Sequence, residues 1–188
     1  MKTDNGPTRA KDFFVRHELG SDRLTIEEAK AQARLPIYGV LDNLRSAHNV
    51  GSIFRTSDGA NISELSLCGY TPRPPHRHLS KTALGSVDVV PWRGFETTAQ
   101  AIEHYKSQGI FVAALELSES SSPLWEAQLS FPLALVVGNE VEGLSTEVQR
   151  SCDATFHLPM LGHKNSLNVS VAWGIALYEV LRRMEVNS

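Results

Sequence analysis

The last third of the chain constrains the fold most. Residues 169–184, VSVAWGIALYEVLRRM, are helical in pattern and have almost no polar face, although they lie near the end of the sequence. Terminal segments usually fray into solvent. A helix of this kind has to be covered by its own subunit, by a partner, or by both. Trp173, Ile175, Leu177 and Tyr178 cannot all face one core. Upstream, residues 133–144 read LALVVGNEVEGL. Here a continuous apolar strand of the parallel-sheet type runs into the polar junction Gly138-Asn139-Glu140.

The rest of the pattern alternates in the same way. Strands are predicted at residues 37–41, 62–68, 87–92, 110–117, 133–137 and 154–158, and helices at 49–60, 95–107, 145–151 and 169–184. Alternation of this kind specifies an α/β domain with a mostly parallel sheet flanked by helices. Residues 1–34, with seven Lys/Arg and six Asp/Glu, read as a helical N-terminal extension, with Thr25 and Glu28 placed for a capping box. Residues 35–188 then form one domain, which a chain of 188 residues suits. Ligands of such sheets bind beyond the carboxyl ends of the strands. The polar junctions at 42–49, 69–81, 116–122, 138–143 and 159–168 all fall there, so five loops can converge on one site.

Several function classes drop out. No apolar run approaches the ~18 residues of a membrane span, and the opening MKTDNGPTRAKDFF has no signal-like apolar stretch. Cys68 and Cys152 lack metal-ligand spacing and read as reduced thiols. A cytoplasmic protein without membrane contact is expected. The P-loop, the dinucleotide fingerprint G-x-G-x-x-G, the nucleophile elbow and the zinc motif H-E-x-x-H are absent. The net charge of −3 is not that of a dedicated nucleic-acid binder. From Tyr70 to Val87, however, there is no acid, while Arg73, His76, Arg77, His78 and Lys81 cluster. This island is either a solvated loop or a phosphate-contacting surface.

What remains for chemistry is a set of amides, serines and one arginine. Asn49 is placed to cap the first helix, and Gly51 and Ser52 to let an anion approach its first turn. Arg55 suits either a bidentate phosphate contact or an ion pair with Asp58 or Glu140. Glu140 follows an apolar strand and either holds Arg55 or caps the next helix. Ser166 and Asn168 crowd the start of the last helix beyond what capping needs. Leu158, Met160 and Leu167 offer apolar walls beside exposed backbone, a combination that suits an adenine-like ring.

In this order the segments resemble the SpoU (TrmH-type) RNA 2'-O-ribose methyltransferases of the SPOUT superfamily, over residues 37–179. The resemblance rests on NVGSIFRT at 49–56, on VGNE at 137–140 followed by GLS at 143–145, and on LPM at 158–160 followed by SLNVSVA at 166–172. It implies a SPOUT-type trefoil-knotted α/β fold, a homodimer, S-adenosyl-L-methionine as cofactor and no metal. By the same resemblance Arg55, Asn49, Glu140, Ser166 and Asn168 carry the chemistry. Leu115, Glu116, Gly138, Leu158, Met160 and Leu167 bind the cofactor, with Glu116 placed to contact ribose. Arg45, Arg73, Arg77 and Lys81 are the expected RNA contacts, and tRNA is favoured over rRNA as substrate. The competing expectations are base methylation on the same scaffold and an RNA- or cofactor-binding protein without turnover.

Overall fold

A computed structural model describes residues 24–186. Most of the expected N-terminal extension, residues 1–23, lies outside that range. Its described part contains helix α1 (Ile26–Ala31), closed by the Thr25–Glu28 capping box that the sequence predicts. No residue of α1 is buried. The extension is tied down just beyond it, where the Arg34 guanidinium donates to the carbonyls of Ile62 and Val89.

Seven strands follow: β1 (Leu35–Asp42), β2 (Ile62–Cys68), β3 (Trp92–Phe95), β4 (Phe111–Leu115), β5 (Ser122–Pro123), β6 (Leu133–Val137) and β7 (Ala154–His157). They form one sheet in the order β3-β2-β1-β6-β4-β7-β5, and every named pair is parallel. Helices α2 (Ala47–Gly59), α3 (Arg77–Ala83), α4 (Ser86–Val89), α5 (Thr98–Lys106), α6 (Thr146–Ser151) and α7 (Val169–Val186) flank it. This is the expected fold class. The central strand β6 explains its own sequence. Leu133, Leu135 and Val137 pack on the core beneath α2 and α7, while Ala134 and Val136 pack with Ala101, Ile102 and Tyr105 of α5. A strand covered on both faces has no position for a polar side chain.

The terminal helix resolves into two stripes. Val169, Trp173, Ala176, Leu177, Val180 and Leu181 are buried in the subunit's own core, the i, i+4, i+7, i+8 spacing of one helix face. Trp173 reaches over β1. A Cβ on Gly39 would stand 2.7 Å from its ring and 2.6 Å from Leu65, so only glycine leaves room. The indole N–H donates to the Ser57 hydroxyl at 3.2 Å. Val171, Ile175 and Tyr178 form a second stripe on another side of the helix and remain exposed.

The far end of α7 is anchored by charge. Glu179 accepts from Arg182 and from Arg183, and Arg183 also donates to the carbonyls of Ala127 and Trp125. The hydrogen bond from Arg182 and then that from Arg183 pull the Glu179 carboxyl down to about 2 against the opposing effect of burial. A carboxyl lowered by folding stabilises fully above its unfolded value of ~4.3 and loses that contribution as pH falls through the folded value. Glu179→Gln is therefore expected to melt at lower temperature than the parent at pH 7. The two melting curves should converge as pH drops from about 4 toward 2. A pH-independent gap would remove this anchor as the cause.

Three local expectations change. Of the strand predicted at 87–92, only Trp92 is in a strand. Gly85, at φ +94°, turns the chain into α4, and β3 begins only after Pro91. Val87 meets the core from that helical turn, and Val90 from the extended residue that ends it. The loop after β2 is shorter than predicted, because residues 77–83 are helical, so the basic island is split between a loop and α3. Gly51 does not open the first turn of α2 to an anion. A Cβ there would strike the Thr82 hydroxyl and the Leu79 carbonyl, so the glycine admits helix α3 instead.

Candidate functional site

The carboxyl ends of β4, β6 and β7 open onto a cavity of about 570 Å³. It lies close to the β1–β6 pair, where the strand order changes direction, the usual ligand position in an open α/β sheet. Leu115 ends β4, Val137 and Gly138 end β6, and Leu158 and Met160 follow β7. Leu167 and Ala172 close the cavity from the start of α7. All six residues expected to hold the cofactor line it, and so do Glu140, Ser166 and Asn168. A smaller lobe of about 290 Å³ adjoins it and shares His157, Leu158, Met160 and Asn165.

The loop after β6 is shaped by its own sequence. A Cβ on Gly138 would stand 2.5 Å from the Gly143 carbonyl carbon and 2.7 Å from the Leu144 nitrogen. The glycine therefore lets residues 139–143 fold back on the strand end. Asn139 locks that turn. Its side-chain oxygen accepts from the N–H groups of Val141 and Glu142, and its amide donates to the Asn43 carbonyl and the Tyr70 hydroxyl. Glu116 closes the other side, accepting from the N–H groups of Leu117 and Leu144 at 3.0 and 2.8 Å. Its carboxylate sits on the rim as expected, with both oxygens already engaged by backbone.

Glu140 joins the cavity to helix α2. One carboxylate oxygen accepts from the Arg45 N–H at 2.9 Å, and the other from the Ser46 N–H at 3.0 Å and the Asn49 amide at 2.9 Å. The Asn49 oxygen in turn accepts from the Asn168 amide at 3.2 Å. Asn168 caps α7 by accepting from the N–H and hydroxyl of Ser170. Burial alone would raise the Glu140 carboxyl. The hydrogen bonds from Arg45, Asn49 and Ser46 outweigh it and hold the group below the usual carboxylate range.

Several sequence expectations are corrected here. Asn49 does not cap α2; Ser46 does, accepting from the Asn49 N–H. Asn49 is one turn into the helix and faces Glu140 and Asn168 instead. Arg55 pairs with neither Asp58 nor Glu140. Glu140 is taken by backbone and Asn49, Asp58 accepts from the Ser86 hydroxyl, and the Arg55 guanidinium is exposed with no hydrogen bond or ion pair among the described residues. Ile53 and Phe54, its neighbours in sequence, turn inward. Ser166 is exposed at the cavity mouth.

The four expected RNA contacts separate. Arg45, Arg77 and Lys81 have exposed side chains. Arg73 is also exposed, but its guanidinium donates to the carbonyls of Gly69 and Phe95 and lies against Gly94, so it closes the end of the β2–β3 edge. Among the described residues, no group of three or more His, Cys, Asp and Glu side chains could hold a metal ion, and no helix is long and apolar enough to cross a membrane. Sequence reasoning missed Ser46, Asn43 and Tyr70. Only the Gly-Asn pair after an apolar strand signalled the turn that the last two support.

Comparison with known proteins gives a consistent result. The model of the SpoU rRNA Methylase family matches residues 36–178. The 23S rRNA (guanosine-2'-O-)-methyltransferase RlmB of Vibrio parahaemolyticus is 33% identical over 84% of this chain and 64% of its own length. The chain spans about two thirds of the length of the curated relatives it matches. The TrmH/SpoU tRNA modifying enzyme of A. aeolicus superposes with a TM-score of 0.77 at 30% identity, over 86% of this chain and 82% of that one. An AdoMet-bound rRNA methyltransferase from Sinorhizobium meliloti superposes with a TM-score of 0.72 at 29% identity, over 84% and 59%. The SPOUT-type arrangement implied by the motifs is thus the arrangement observed.

Proposed function

The chain belongs to the SpoU rRNA Methylase family, and we propose that it transfers a methyl group from S-adenosyl-L-methionine to a ribose 2'-hydroxyl of RNA. The observation that carries this reading is the hydrogen-bonded line Glu140–Asn49–Asn168, which couples the cavity mouth to the helix bearing Arg55. The cofactor fits the cavity on the chemistry of its lining. Leu115, Val137, Leu158, Met160 and Leu167 supply apolar walls, and the strand ends supply backbone donors and acceptors. When bound, it supplies an electrophilic methyl group.

The chain's own residues then do four things. The cavity walls exclude water from one side of the reacting centre. Asn49, Ser166 and Asn168 orient the nucleotide at the mouth. Glu140 touches no reacting atom in this reading; it positions Asn49 and the start of α2. Arg55 grips the phosphate beside the ribose and stabilises the negative charge that develops on the 2'-oxygen. A guanidinium has five donors and no acceptor, so the proton passes to the substrate phosphate or to water.

tRNA is favoured as substrate. The chain covers 82% of the A. aeolicus tRNA modifying enzyme but only 64% of RlmB and 59% of the Sinorhizobium meliloti rRNA enzyme. Residues 1–34 are an extension of a single methyltransferase domain spanning 35–188. Two copies pair through the exposed stripe Val171, Ile175 and Tyr178 of α7, which is too apolar to face water along its whole length.

One experiment separates the competing chemistries. The purified protein is incubated with methyl-labelled S-adenosylmethionine and fractionated cellular RNA, and the product is digested completely with ribonuclease. Label in nuclease-resistant dinucleotides of the tRNA fraction is expected, because a 2'-O-methyl group blocks cleavage at the next phosphate. Label released as single nucleotides would mean base methylation. Cofactor binding without labelled RNA would mean a protein without turnover.

A further inference from the structure

We infer that His48 and His78 form a stacking shelf for an unpaired nucleobase next to the ribose that is methylated. This rests on the reading above and adds the kind of RNA that the site accepts: a loop or otherwise unstacked strand. The two rings belong to different helices, α2 and α3, and both are exposed. Their centroids are 5.5 Å apart at 58°. The ring centroid of His76 lies 5.9 Å from that of His78, tilted by 49°. The contact is held rigid from below, where α3 lies directly on Gly51 and the Thr82 hydroxyl donates to the His48 carbonyl at 3.1 Å. These contacts fix the spacing of the two helices, and so of the backbone positions that carry the two rings.

The shelf's position selects its ligand. His48 and Arg55 are seven residues apart on α2, two turns along the same face, which places them about 10 Å apart along the axis. A strand gripped by Arg55 therefore runs over the histidines with its neighbouring nucleotide. Arg77 and Lys81 flank the rings on α3, and no acid occurs between Tyr70 and Val87 to repel a phosphate. Aromatic rings beside cations are the usual means of holding single-stranded RNA, because every base has a π-face. Helical RNA, whose bases are already stacked and paired, has no base to offer.

The test uses a stem–loop RNA with 2-aminopurine in the loop, and a fully paired duplex of the same length as control. Binding is read by fluorescence, independently of methyl transfer. His48→Ala and His78→Ala are each expected to weaken loop binding roughly fivefold to thirtyfold and to abolish the stacking signal, with duplex binding and cofactor affinity unchanged. His78→Phe should restore most of the loss, because it keeps a ring without the nitrogens. The proposal is overturned if both alanine variants bind the loop as the parent does. It is also overturned if His78→Lys restores binding and His78→Phe does not, which would make the contact one of charge to phosphate. A protein that shows the ring-dependent signal but transfers no methyl group would refute the catalytic reading and leave the shelf standing. Normal transfer by both alanine variants at limiting RNA would do the reverse.

Discussion

Replacing Arg55 with alanine is expected to lower single-turnover methyl transfer by roughly a hundred- to a thousandfold, the usual loss when one group stabilising transition-state charge is removed. Folding and cofactor affinity should hardly change. The side chain is exposed, makes no hydrogen bond among the described residues and lies outside the cavity lining. Surface substitutions of that kind stay within about ±0.5 kcal/mol. An arginine that the fold does not use, on a helix whose start is tied to the cavity by Glu140, is free to serve a ligand. Arg55→Lys should fall between the parent and the alanine variant. It keeps the charge but loses the planar fork that binds phosphate through two hydrogen bonds. If single-turnover rates of both variants are near normal, neither phosphate gripping nor charge stabilisation belongs to this residue. If both variants lose cofactor binding instead, Arg55 acts through the cavity and the roles have to be reassigned.

The legibility of this fold depended on where each segment meets water. Strands β2 and β6 begin and end at the residues the sequence predicts, because each is flanked by turn residues and β6 is apolar along its whole length. The Thr25 cap was readable for a local reason: a hydroxyl next to a helical run, with a glutamate three residues on, has one favourable use. Residues 87–90 were misread as strand because a short valine-rich run carries no period of its own, and Gly85 and Pro91 settle the conformation. Gly51 was misread because a glycine in a helix signals close approach without saying by what; a neighbouring helix fills the space here. At the site, residue types pointed to the right region but not to partners. Glu140 had two plausible occupations, and the structure gives it a third, the N–H groups of Arg45 and Ser46 some 95 residues earlier in the chain. Contacts of that separation are invisible to local pattern. The terminal helix was legible as a burial problem. The split into a stripe on the core and a stripe left exposed required the structure.

Glu140→Gln is expected to cost about 2 kcal/mol of stability, in the range for hydrogen bonds to a charged group, and to lower methyl transfer more than the stability loss explains. Glutamine has one oxygen where glutamate offers two, and its NH2 would face an N–H or the Asn49 amide, donor against donor. Either the Arg45 N–H, or the Ser46 N–H together with the Asn49 amide, must lose its acceptor. In the first case Arg45, just before the Ser46 cap, comes away from the loop after β6. In the second Asn49 is freed, and its contact with Asn168 loosens. Both outcomes displace Arg55 relative to the cavity without touching it. The pH dependence gives an independent check. Folding lowers the Glu140 carboxyl, so its contribution is complete above the unfolded value of ~4.3 and disappears as pH falls through the lower folded value. The parent should therefore approach the stability of Glu140→Gln only below the ordinary carboxylate range. A double-mutant cycle of Glu140→Gln with Asn49→Ala, read by single-turnover rate, assigns the pathway. If Glu140 acts through Asn49, the double variant is no slower than the more damaged single one. Strictly additive losses would mean that Glu140 acts on the backbone of Arg45 and Ser46 alone and that Asn49 works independently on the nucleotide.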